Sequence, residues 1–166
     1  VYLLTAKHCL SGFKEREKVS LRFFNPETGT YDYITPVKQN ILLHPIDDAG
    51  IVILNQRELS TIVSDLPPVF IINKNVGFDE AVTKGFPIAS LDQTSETGES
   101  SLVTLNMRYL QEIPTEHAFQ LSTLDDYNED SIKGMSGAGI FIEACEELYL
   151  NGIFTRFTDE DRGKVI

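Results

Sequence analysis

Short apolar runs broken by turn residues dominate this chain, and most of them alternate rather than recur at helical spacing. Val19, Leu21 and Phe23 alternate with Ser20 and Arg22, the pattern of a half-buried strand. Asn25-Pro26-Glu27-Thr28-Gly29-Thr30 then reads as a hairpin loop leading into a strand over Tyr31 to Val37. Further strands are predicted over Gly50 to Leu54, Val69 to Ile72, Glu80 to Phe86, Ser101 to Tyr109, Ala118 to Ser122, Gly139 to Ile142 and Leu148 to Phe154. The opening run, Val1-Tyr2-Leu3-Leu4, is also strand-like. Only Gln56 to Ser64 offers a helical or linker segment. Many short strands at this spacing predict an all-β barrel or sandwich. No internal repeat or low-complexity segment interrupts the pattern. Asp92 to Ser100 is a polar loop, and Thr123 to Asp130 is a second, acidic one.

Composition narrows the function classes. The 166 residues suffice for one domain with a sizeable core. A hydrophobic share of 42% and a charged share of 23% are ordinary for a globular protein. No apolar run approaches the ~20 residues needed to cross a bilayer, so no membrane partner is expected. The net charge of −11 argues against nucleic acid, whose phosphates call for clustered Lys and Arg. Two cysteines, Cys9 and Cys145, make no disulfide framework and point to a reducing, cytoplasmic setting. No Cys/His cluster has ligand spacing, so neither metal nor cofactor is expected.

Three local contexts carry chemistry. Leu4-Thr5-Ala6-Lys7-His8-Cys9 supplies a histidine, Asp47-Asp48-Ala49-Gly50-Ile51-Val52-Ile53-Leu54 an acid, and Gly134-Met135-Ser136-Gly137-Ala138-Gly139 a serine. Acyl transfer by serine needs these groups: a nucleophile, a base for its proton, and an acid that orients the base. His8 is the candidate base, Ser136 the candidate nucleophile, and Asp48 the candidate acid, with Asp47 as its rival. His44 and His117 lack such a context.

In these motifs the chain resembles the chymotrypsin-like (trypsin-fold) serine peptidases, in particular their divergent bacterial and intracellular branches. Leu-Thr-Ala-x-His-Cys is similar to the family's histidine motif, and Gly134-Met135-Ser136-Gly137 to its nucleophile turn. Leu66-Pro67-Pro68-Val69 resembles the stretch between the family's barrels, and Gly85-Phe86-Pro87 a strand end. The spacings fit as well, 40 residues from position 8 to 48 and 88 from 48 to 136. The resemblance implies two six-stranded antiparallel Greek-key β-barrels. The first, partial, would occupy residues 1–62 and carry His8 and Asp48. The second, with its linker, would occupy 63–166 and carry Ser136. The site would lie between them.

The same resemblance implies an oxyanion hole from the backbone N–H groups of Gly134 and Ser136. It places Asp130 at the floor of a pocket favouring Lys or Arg before the scissile bond. It puts Thr155 and Arg156 on the strand that pairs with a polypeptide substrate. The family's strands before the histidine and its closing strand and helix exceed what this chain carries, so the expectation is a fragment, or a domain completed by further segments. Met135 stands where zymogen-activated members have an aspartate that pairs with a freed N-terminus. That route is unavailable to a methionine, which implies a constitutive site or one ordered by a regulatory domain or partner protein. The alternative to a peptidase is a catalytically silent or partner-activated module of a larger protein. For Cys9, whose usual upstream disulfide partner is absent here, the expectation is a buried thiol.

Overall fold

The computed structural model describes residues 1–11, 19–25, 28–62, 69–72, 78–87, 102–124, 127, 129–144, 146–158 and 164–165. The loop expected over 92–100, the inter-barrel stretch 66–68 and Cys145 lie outside them. The chain forms two compact units, Val1–Pro68 and Val69–Ile166.

The first unit holds β1 (Tyr2–Thr5), α1 (Lys7–Ser11), β2 (Leu21–Asn25), β3 (Thr30–Ile34), β4 (Ile41–Leu43), β5 (Gly50–Ile53) and α2 (Gln56–Leu59). Antiparallel pairing gives a three-stranded sheet, β1-β5-β4, and a separate β2-β3 hairpin. The hairpin turns because Asn25 accepts the Thr28 amide on its side chain and the Gly29 amide on its carbonyl. Gly29 sits at φ 69, a left-handed conformation that costs glycine little. Asn55 caps α2 by accepting the Arg57 amide at 3.0 Å. Leu10, Ile34, Val52, Leu54 and Leu59 form the core of this unit.

The second unit holds β6 (Phe70–Ile71), β7 (Glu80–Gly85), β8 (Val103–Ile113), β9 (Ala118–Thr123), α3 (Glu129–Ile132), β10 (Gly139–Ala144), β11 (Glu147–Ile153), β12 (Phe157–Thr158) and β13 (Lys164–Val165). They make one eight-stranded sheet in the order β12-β13-β9-β8-β7-β10-β11-β6. Its core comprises Ala81, Leu105, Met107, Leu121, Ile132, Met135, Ile140, Ile142 and Phe154. Alternate residues of β7 and β8 supply it, as a strand with one buried face requires. The buried Thr83 hydroxyl is satisfied by the Gly139 carbonyl at 2.7 Å.

The mostly β architecture follows the sequence pattern, and its details depart from six-plus-six antiparallel barrels. Among the described residues the first unit pairs five strands in two separate sheets, and the second pairs eight in one sheet. One pair, β6 with β11, is parallel. Strand β8 runs four residues past its expected end, accommodated by a register shift between Tyr109 and Gln111.

Candidate active site

In the first unit, one ladder brings two distant chain segments to the same sheet end. Thr5, the last residue of β1, pairs with Gly50, the first residue of β5. Three residues after Thr5 comes His8, on α1; two residues before Gly50 comes Asp48. Helix α1 approaches closely because Gly50 has no side chain: a Cβ there would lie 2.7 Å from Leu10 Cδ1. Buried Leu10 thus holds the short helix against the start of β5.

The result is a two-point grip. His8 Nδ1 lies 2.6 Å from Asp48 Oδ2, and the His8 amide donates to Asp48 Oδ1 at 2.9 Å. An Nδ1–H that donates to the carboxylate leaves Nε2 as the proton acceptor of the ring. Asp47 is engaged elsewhere. Its amide donates to His44 Nδ1 at 2.8 Å, and its carboxylate lies 3.1 Å from the same nitrogen. In the neutral ring that nitrogen accepts the amide; the carboxylate contact becomes an ion pair only when the ring is protonated. The Lys7 ammonium donates to the His44 carbonyl at 3.0 Å and ties α1 to this turn.

Cys9 adjoins the pair. It is a thiol outside any disulfide and is solvent-exposed, which corrects the expectation of burial. Placing it on the outer side of a one-and-a-half-turn helix, with Leu10 inward, explains the difference. Partial desolvation still pushes the Cys9 thiol pKa up; the Thr5 side chain opposes this by hydrogen bonding, and the Asp48 carboxylate adds to it.

In the second unit, Ser136 lies in the turn between α3 and β10. The β10–β11 ladder continues beyond the strand ends, with Phe154 N–H donating to Ala138 O at 2.8 Å and Gly137 N–H to Phe154 O at 2.7 Å. That register puts Ser136 beside Thr155, and its hydroxyl donates to the Thr155 carbonyl at 3.2 Å. Gly134 and Gly137 hold φ 98 and φ 89, left-handed values that favour glycine. Gly134 is exposed and Ser136 half-buried.

The remaining expected residues also belong to the second unit. Asp130 is exposed on α3. Arg156 forms an ion pair with Glu116, which sits on the 3-10 turn Pro114–Glu116. Sequence reasoning missed Glu116, since forty positions separate it from Arg156 and no motif links them. A groove of about 1090 Å³ lies at the far end of β10 from Ser136, lined by Phe78, Glu80, Met107, Phe141, Glu143 and Glu146 among others. Asp130 is not part of it. No group of three or more metal-ligating side chains occurs among the described residues. No helix among them is long and apolar enough to cross a membrane.

Among solved structures, the chain is similar to the NS6 protease of murine norovirus. An inactive cysteine-to-alanine mutant of that protease, with a C-terminal extension into NS7, aligns at 18% identity and TM-score 0.58, covering 99% of this chain and 80% of that one. The NS6 protease from murine norovirus 1 aligns at 16% identity and TM-score 0.56, covering 99% and 77%. No protein-family model matches the sequence, and no curated protein matches it. The likeness carries the fold, a mostly β, chymotrypsin-like protease fold.

Proposed function

We propose that the chain is a serine endopeptidase acting through Ser136, His8 and Asp48. The observation that carries the proposal is the two-point His8–Asp48 grip, which presets the tautomer a general base needs. The chymotrypsin-like protease fold supports it, and implies a polypeptide substrate.

In this reading Ser136 Oγ attacks the scissile carbonyl carbon, and His8 Nε2 takes its proton. The backbone N–H groups of Gly134 and Ser136 stabilise the resulting oxyanion. The imidazolium, held by Asp48, then protonates the leaving amine. Water repeats the sequence on the acyl-enzyme and releases the acid. The reading requires Ser136 Oγ within hydrogen-bond reach of His8 Nε2, about 2.6–3.2 Å. The norovirus comparison includes a protease inactivated by loss of a cysteine. Serine is preferred here because Ser136 occupies the Gly-x-Ser-Gly turn and Cys9 belongs to the histidine motif. Asp130 is proposed to favour Lys or Arg before the cleaved bond, and Thr155 and Arg156 to line the substrate strand. A reducing, cytoplasmic setting is proposed from the low cysteine count and the unbridged Cys9.

One contact favours a second reading, a silent or partner-activated module. The Ser136 hydroxyl donates to the Thr155 carbonyl, and it must leave that acceptor before it can donate to a base. Hydrolysis of peptides carrying Lys or Arg before the scissile bond separates the readings. The peptidase reading predicts turnover by the chain that falls about 10⁶-fold in kcat in Ser136→Ala. Equal rates for parent and variant would sink it, and turnover gained only on adding a partner would establish the second reading.

A further inference from the structure

We infer that Met135 is the positioning residue of the nucleophile turn and that Gly85 is the socket that admits it; the inference rests on the serine-peptidase reading for its functional consequence. Met135 is 1% exposed and belongs to the core of the second unit, whereas its neighbours in sequence are exposed, at Gly134, and half-buried, at Ser136. The turn therefore hangs on one apolar side chain between two residues that need to remain accessible.

Two backbone bonds transmit the position of Met135 to the turn. Its amide donates to the Ile132 carbonyl at 3.1 Å, and its carbonyl accepts the Ala138 amide at 3.0 Å. Its side chain passes over the last residue of β7. A Cβ on Gly85 would lie 3.0 Å from Met135 Cε, 3.4 Å from Met135 Cγ and 3.4 Å from Ala138 Cβ. Only an unsubstituted residue leaves the thioether its full space there. Moving Met135 shifts the amides of Gly134 and Ser136 together, the two donors proposed for the oxyanion. Apolar burial carries no titrating group and needs no freed terminus, so the turn is held at any pH at which the core is folded.

The test is amide hydrogen exchange by NMR on Met135→Ala, Met135→Leu, Gly85→Ala and the double variant G85A/M135A, with hydrolysis measured alongside. The Gly137 amide reports the turn, through its bond to Phe154 O. Met135→Ala is expected to speed Gly137 exchange about tenfold or more while Leu105 and Met107 in β8 keep their rates. Met135→Leu, close in volume, should keep the parent rate. Gly85→Ala should speed exchange less, and the double variant should change less than the product of the singles, because alanine at 135 vacates the contested space. In an active parent, kcat should fall in step with Gly137 protection while KM holds. Unchanged Gly137 exchange in Met135→Ala, or independent effects in the double variant, would overturn the inference. If Met135→Ala instead loses protection throughout β8, Met135→Leu and Gly85→Ala decide. Exchange is read on the folded chain, so a parent that hydrolyses nothing defeats the peptidase reading without touching this one.

Discussion

The His8 turn and the Ser136 turn are built on opposite principles. His8 and Asp48 are held by polar contacts near water, with side chains 49% and 37% exposed. The turn that carries Ser136 is flanked by the buried Met135 and by backbone hydrogen bonds that extend the ladder to Phe154. A polar grip specifies a tautomer and an orientation that packing alone cannot. A packed anchor fixes backbone amides, whose direction matters more than their chemistry. Damage to the first should therefore change chemistry while sparing stability; damage to the second should change both.

Within this comparison the largest expected effect comes from breaking the polar grip. Asp48→Asn should lower kcat about 10⁴-fold, because the amide no longer selects the Nδ1–H tautomer. Asp47→Asn, whose carboxylate faces His44, should change kcat only a few-fold, and thermal melts of both should stay near the parent. Equal losses in the two variants would show that the assigned acid is wrong. A smaller effect sharpens the comparison at the apolar contact beneath the polar pair. Gly50→Ala places a methyl against Leu10 Cδ1 and should cost about 1 kcal/mol in denaturant unfolding, since the end of a flexible side chain can yield. Its kcat loss should exceed its stability loss, because α1 carries His8. The smallest effect is on Cys9. Desolvation and the Asp48 carboxylate both disfavour the thiolate, so the thiol stays protonated further above neutrality than an ordinary cysteine. Asp48→Asn should lower that pKa and speed iodoacetamide alkylation at neutral pH a few-fold. A slower rate in the variant would contradict the assigned cause.

Much of the β framework was legible. Gly50 to Leu54, Glu80 to Phe86 and Ala118 to Ser122 differ from the observed strands by one residue at most, because alternation with a buried face leaves a strong period-two signal. Elements too short to show a period were not legible: the three residues of β4, the four of α3 and the five of α1. The parallel β6–β11 pairing was hidden because partner choice is a long-range property. At the site, local motifs singled out His8, Asp48 and Ser136. Adjacency alone could not divide Asp47 from Asp48; their different partners, His44 and His8, depend on how the β4–β5 turn folds. The outward face of Cys9 and the Glu116–Arg156 pair likewise depend on packing that no spacing encodes.

Intact-mass analysis after treatment with a fluorophosphonate shows whether the triad is assembled, since covalent capture needs nucleophile, base and oxyanion donors together. An assembled triad gives one adduct per chain, absent in Ser136→Ala and formed far more slowly in Asp48→Asn. A folded parent that forms no adduct, or an adduct that persists in Ser136→Ala, would rule out Ser136 as the activated nucleophile.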